Sequence, residues 1–210
     1  GSVRNSGIEF AIDYKTTFSN ELTMSLGYNV TFLQNEVTEV NNGTGFIEGG
    51  SFGVGQPAPS RMQVGKPLGY FYGYKTNGIF QNQAEVDAAP SQIALGAEAQ
   101  AGDIRYVDMN NDGVINTSDR TDIGSPIAAS TMGFNMQFGY KNFDFVTYLF
   151  ASIGNDMVRN YERSLTDVNR LDYVLDRWTG EGTSNSAPRV TTSATSNNVF
   201  SDYFVEDASF

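Results

Sequence analysis

Two pairs of adjoining segments alternate apolar and polar residues with a period of two. From Ile8, the residues Ile8, Phe10, Ile12, Tyr14, Thr16 and Phe18 fall on one side of an extended strand, and Glu9, Ala11, Asp13, Lys15 and Thr17 on the other. After Ser19, Asn20 and Glu21 the pattern resumes, with Leu22, Met24, Leu26, Tyr28, Val30 and Phe32 alternating with Thr23, Ser25, Gly27, Asn29 and Thr31. A second pair, 132–140 and 143–152, meets at Lys141 and Asn142. The spacing predicts two antiparallel hairpins, 1–33 and 131–152, with a long loop over 34–130 between them. A second long loop over 153–200 and a last extended piece over 201–210 follow.

Two architectures share this period: the wall of an outer-membrane barrel, and a soluble antiparallel sheet with one buried and one wet face. Segments of roughly 10 residues match what a tilted strand needs to cross a bilayer, whereas soluble strands are nearer 5 or 6. Aromatic residues at the strand ends (Phe18, Phe32, Tyr140, Phe143) stand where membrane girdles lie. Both details favour the barrel, and pattern alone leaves both architectures open. So few strands cannot close a barrel, so the barrel reading makes this chain an excerpt of something longer. Gly1, Ser2, Val3 and Arg4 lack the apolar stretch of an export signal, and 201–210 reads as the approach to a strand that is then cut off.

Composition removes several classes. A net charge of −11 argues against nucleic acid, whose phosphates demand Lys and Arg. The chain has no Cys and no His, which rules out disulfides, Ser-His-Asp and Cys-His catalysis and an ordinary zinc site. No run of 18 apolar residues exists to form a transmembrane helix, a fact that leaves a β-barrel open. The 22 Gly and the abundant Tyr and Phe suit a β protein rich in turns.

The loop over 34–130 is too long to be plain connection and should carry structure and function of its own. Tyr70, Phe71, Tyr72 and Tyr74 crowd into five residues. They suit a substrate-stacking or partner surface, or alternate rings packed under the loop as its own small core. Residues 84–101, rich in Ala, Glu and Gln, predict a helical turn or two, and Ile104, Arg105 and Tyr106 a return to extended chain.

The sharpest chemical motif follows. Asp108, Asn110, Asp112, Asn116 and Asp119 place oxygen side chains at positions 1, 3, 5, 9 and 12 of an EF-hand-type loop, with Gly113 at 6 and Ile115 at 8. Calcium takes six to eight oxygens, so the chain must wrap around it; Gly113 permits the turn and the Val114 carbonyl supplies a backbone ligand. Position 12 is the shorter Asp119 in place of the usual bidentate Glu, which weakens the expected affinity. An Asx-rich turn held by side-chain to backbone bonds is the competing reading. In the second long loop, Tyr161, Leu165, Val168, Leu171, Val174 and Leu175 fall near a helical period within 155–178, Gly180 and Gly182 end it, and 183–198 reads as solvated loop.

Taken together, the strings VGKPLGYFYGYKTNGIFQN (64–82), GDIRYVDMNNDGVINTSDRTDIGSP (102–126), YKNFDF (140–145), RWTGE (177–181) and SDYFVEDASF (201–210) resemble the C-terminal part of SusC/RagA-type TonB-dependent outer-membrane transporters. The resemblance extends from Ile8 to Phe210. It implies a mainly β fold, the antiparallel strands of an incomplete transmembrane β-barrel with long extracellular loops that contain a short helical part. It also implies the outer membrane of a Gram-negative bacterium, a plug domain and TonB contact lying elsewhere in the protein, and a SusD-like surface lipoprotein as lid. Glycans, or oligosaccharide or peptide nutrients generally, would be the cargo, with the loops and the calcium site facing lid and substrate. Two other classes compete: a soluble calcium-stabilised carbohydrate-binding β domain, and a glycoside hydrolase. No carboxylate pair is singled out by spacing for the hydrolase, so the expectation is a protein that is not an enzyme.

Overall fold

The structure, a computed structural model, describes residues 1–18, 21–53, 56–160, 169 and 171–210. In chain order the strands are β1 (Ser2–Thr17), β2 (Leu22–Glu39), β3 (Phe46–Glu48), β4 (Ser60–Gln63), β5 (Tyr70–Gly73), β6 (Thr76–Ile79), β7 (Ile104–Tyr106), β8 (Thr121–Gly124), β9 (Ser130–Tyr140), β10 (Phe143–Ile153), β11 (Asp156–Val158) and β12 (Val205–Asp207). One α-helix, α1 (Gln83–Ala88), and short 3₁₀ turns at Ile93–Leu95, Thr117–Asp119, Asp172–Asp176 and Asp202–Phe204 complete the described elements. This is a mainly antiparallel β protein with little helix, and the sheets do not close into a barrel within these residues.

The alternating segments form one antiparallel sheet in the order β1-β2-β9-β10. Its register stacks apolar residues across all four strands: Phe10, Val30, Met132 and Ala151 form one row, and Ile12, Tyr28, Phe134 and Leu149 the next. Because residues opposite one another share a face, this side is a continuous apolar wall. The other side carries Asp13, Lys15, Ser25, Asn29, Asn135 and Gln137 over its first three strands. Large apolar residues on the wall stay exposed, Ile8 at 73% and Phe143 at 77%. Val30 and Ser130 on this side are buried, while the large apolar residues of β1 and β10 stay open.

β1 and β2 run 16 and 18 residues, well beyond the expected length, whereas β9 and β10 have 11 each. The extra length of β2 is a stalk that carries the loops. Buried Val37 donates its N–H to the Lys66 carbonyl and accepts from Gly65 N–H, both at 2.9 Å, and Asn35 accepts from Leu68 N–H.

The two long loops fold together above that stalk. Phe52 and Phe71 from the first pack with Phe200 from the second and with Phe204 just beyond it, and Tyr74, Ile104, Tyr106 and Ile115 pack with Val199. A four-stranded sheet β3-β4-β5-β8 and the pairs β6-β7 and β11-β12 frame these two cores. Two expectations change here. The helix expected within 155–178 is replaced, where the chain is described, by β11 and the 3₁₀ turn Asp172–Asp176, with Leu171 and Leu175 exposed; Tyr161, Leu165 and Val168 lie outside the described residues. The run 183–198 is not simply solvated, because Ala187 and Ser196 are buried. At the chain's last residue, Phe210 exchanges N–H···O bonds of 2.8 and 2.9 Å with Ser152 on the β10 edge, as the approach to a strand would.

Candidate functional surface and cation loop

The aromatic ladder sits on β5, at the centre of the loop module. Tyr70, Phe71 and Tyr74 are buried, so these rings pack inward where a ligand-facing surface was one of two expectations. Burial raises the phenol pKa of both Tyr70 and Tyr74, since the phenolate would lose its water. Tyr72 is the half-exposed member. Arg61 lies 3.8 Å over its ring and 3.8 Å over Phe46, Arg120 lies 4.7 Å over Tyr72, and Glu48 holds Arg61 by an ion pair of 3.1 Å. A column of alternating cation and ring therefore covers the one aromatic that reaches solvent.

The cation loop hangs from the second core. Gln92 acts as a strand surrogate along β7: its amide donates to the Ile104 carbonyl at 3.0 Å and accepts from Tyr106 N–H at 2.8 Å. Next to it, Ser91 N–H donates to Gly113 C=O and Ile115 N–H donates to Ser91 C=O. Ile115, fully buried, plugs the loop into the core as the apolar residue at position 8 should.

Within the loop, Asp108 gathers backbone N–H groups from Asn111 and Gly113 at 2.6 and 2.8 Å. Partial desolvation pushes the Asp108 carboxyl upward, but the N–H groups of Gly113, Asn111, Asp112 and Asn110 together outweigh it and hold the carboxyl below its ordinary range. Asn111 and Gly113 take φ of 60° and 85°; the latter is the sharp turn for which glycine suits. Asp112 accepts from Val114 N–H, and the Asn110 amide donates to Asp112 at 2.9 Å. Asp119 is fully buried, and its two oxygens accept from Met109 and Asn116 N–H at 2.9 and 2.8 Å, closing the loop and capping the 3₁₀ turn with Asn116.

The donor set of Asp108, Asn110, Asp112 and the Val114 carbonyl is hard oxygen; Asp108 Oδ1 accepts from both Asn111 and Asp112 N–H, whereas Asp108 Oδ2 and the two Asp112 oxygens accept one donor each and keep a lone pair. Among the described residues no three acidic side chains converge on one point. A cation here would rest on mixed carboxylate, carboxamide and carbonyl ligation.

Residues that join the two loops went unnoticed in the sequence. Asp103, fully buried, accepts from Arg189 Nε at 2.7 Å and Nη2 at 3.0 Å and from the Asn197 amide at 2.9 Å. Trp178 packs against Gly102, next to that pair. The signal for Arg189 was present: it is the only charge between Gly182 and Ser201.

No protein-family model matches the chain. The TonB-dependent receptor P3 of Formosa agariphila is 28% identical over 90% of this chain and 19% of its own length. Receptor P26 of the same organism is 27% identical over 100% of the chain and 21% of its length, and the TonB-dependent receptor SusC of Bacteroides thetaiotaomicron 27% over 100% and 20%. The solved structure of the RagAB peptide transporter shares the fold at a TM-score of 0.72 and 17% identity, covering 100% of this chain and 21% of that one. The RagAB peptide importer in its closed-closed state gives 0.69 at 17% identity, over 100% and 22%. The relatives are receptors by name, in agreement with a protein that is not an enzyme, and the chain spans about a fifth of their length. Over its whole length the chain is similar to SusC/RagA-type TonB-dependent receptors in sequence, and it shares its fold with the RagAB transporter.

Proposed function

We propose that the chain is part of the wall and the outer loop module of a TonB-dependent importer in the outer membrane of a Gram-negative bacterium. The cargo is a glycan or another large nutrient such as a peptide, captured together with a SusD-like surface lipoprotein. The observation that carries this reading is the registered apolar wall, four strands wide and polar on the reverse of its first three strands, which suits lipid on one side and a wet interior on the other. A soluble carbohydrate-binding domain would pack such a wall against itself. Here Phe10, Ile12 and Leu149 remain 54–61% exposed, which disfavours that alternative.

Disrupting the gene should abolish growth on one class of oligosaccharide or peptide, and affinity purification of the receptor from detergent-solubilised outer membrane should retain a lipoprotein. Recovery of the protein from a soluble fraction would overturn the reading.

Calcium is our reading of the cation loop, as a structural ion held by Asp108, Asn110, Asp112 and the Val114 carbonyl, with Asn116 completing the ring of oxygens and Asp119 closing the loop. The ion would neutralise the clustered carboxylates and fix the loop against the core. Added calcium should raise the melting temperature of the wild-type protein and not of Asp108→Ala, and Asp119→Glu should change the midpoint of the titration. No metal-dependent shift in any of the three would leave the loop as a hydrogen-bonded turn.

A further inference from the structure

The cation loop is anchored at both ends in a core that the other long loop completes. Two residues before Asp108, Tyr106 sends its hydroxyl to the Ser196 carbonyl at 2.7 Å. Inside the loop, Ile115 packs in one buried cluster with Tyr74, Ile104, Tyr106 and Val199. At its end, Asp119 is fully buried, and the next residue, Arg120, donates to the Tyr72 carbonyl at 2.8 Å.

Residues 196–202 hold that core by hydrogen bonds as well as by packing. Asn197 accepts the N–H of Ile104 on β7 at 2.8 Å, and Asp202 accepts the N–H of Thr76 on β6 at 3.0 Å. Tyr74, in the cluster with Ile115, accepts the Asp202 N–H at 3.0 Å. If this segment lifted away, Val199 would leave the side of Ile115 and the Tyr106 hydroxyl would lose its acceptor. Two strand N–H groups would lose their partners as well. Each of these losses is costly where water is excluded, so the opening of 196–202 loosens the seat of the cation loop, and the opening of the loop loosens 196–202.

An ion that binds the closed loop and not the opened one stabilises every contact that closure requires, by the factor 1 + [L]/Kd. Amides that exchange through that same opening are slowed by that factor, wherever they lie in the sequence. We infer that residues 196–202 and the cation loop are one cooperative unit, so that calcium held at 108–119 keeps 196–202 closed although that segment supplies no ligand oxygen. The inference rests on the calcium reading of the loop and adds to it a segment that the ion regulates.

The test is hydrogen exchange of the full-length receptor in lipid vesicles, read by mass spectrometry on peptides, first in chelator and then at calcium about 100 times the Kd found by calorimetric titration of the same sample. Peptides from 108–119 and from 196–202 should slow together, by about 100-fold, while those of β2 and β9 in the wall sheet keep their rates. Asp108→Ala should lose the slowing in both segments. Slowing confined to 108–119, or spread equally over the wall strands, overturns the coupling and leaves the calcium site standing. Slowing at 196–202 that survives in Asp108→Ala comes from an ion bound elsewhere and overturns the coupling too. Neither binding heat nor slowing in any segment overturns the calcium reading, and the coupling with it.

Discussion

Asp103 and Arg189, 86 positions apart, meet in a two-pronged ion pair that crosses from one long loop to the other, with N···O distances of 2.7 and 3.0 Å. The Asp103 side chain is 1% exposed and that of Arg189 15%. A pair this dry contributes chiefly through what happens when one partner is lost. Asn197 adds a second clasp, donating to Asp103 and accepting the Ile104 N–H at 2.8 Å. The two loops are therefore one folded unit.

Removing one side of the pair should leave a buried charge without its partner. Arg189→Ala should destabilise the loop module by about 3–5 kcal/mol, read as a lower midpoint of urea unfolding and as faster proteolysis of residues 183–198. Arg189→Lys should recover only part of the loss, because an ammonium cannot reproduce the fork. Equal stability of wild type and Arg189→Ala would refute the clasp.

Gly102 combines two constraints. Its φ is 89°, and a Cβ would stand 2.4 Å from Trp178 Cε3 and 2.9 Å from Arg189 Cβ. Gly102→Ala should therefore cost about 1–3 kcal/mol through backbone strain and overpacking. Trp178 fluorescence during thermal unfolding reports it directly: the transition should move down and the native spectrum shift as the ring is displaced.

Stability should fall at both ends of the pH scale for separate reasons. Burial, above all, pushes the Tyr106 phenol far above its ordinary value of 10.0. The unfolded chain then ionises before the folded one, so the contribution is whole below pH 10.0 and is lost as pH rises above it. Tyr106→Phe should flatten that alkaline slope. It should also cost about 1–3 kcal/mol at neutral pH, because the Ser196 carbonyl loses the hydroxyl that donates to it at 2.7 Å. Asp108 works in the opposite sense: its lowered pKa gives a contribution present above 3.8 and lost as pH falls through the folded value, a slope that Asp108→Asn should remove.

The two faces of the wall should tolerate charge differently. Leu149 is 61% exposed in the central apolar row, and Leu149→Arg should cost about 2–4 kcal/mol if that row lies near the bilayer midplane. Gln137→Arg, on the reverse face, should stay within about 0.5 kcal/mol. Urea titration of the full receptor folded into lipid vesicles separates the two; similar losses would mean that the apolar side does not face lipid.

The strand pairs, the tight turn at Lys141 and Asn142 and the Asx-rich turn of 108–119 were legible in the chain because each is written in local spacing. Alternation at period two selects a face one residue at a time, and the Asx–Gly pattern of 108–119 dictates its own turn. Spacing also told which residues share the apolar wall, from Ile8 through Leu149. It could not tell how far β2 would run past Phe32, since Val37 joins the stalk only because Lys66 and Gly65 come back to pair with it. Nor could it assign Tyr70, Phe71 and Tyr74 to core over surface: which side of a ring is dry depends on Phe200, Phe204 and Val199, contributed by chain more than a hundred residues away. Asp103 and Arg189 belong to the same class. A charge in a loop reads as solvated until another loop closes over it, and that closure is a long-range packing event that only the tertiary structure decides.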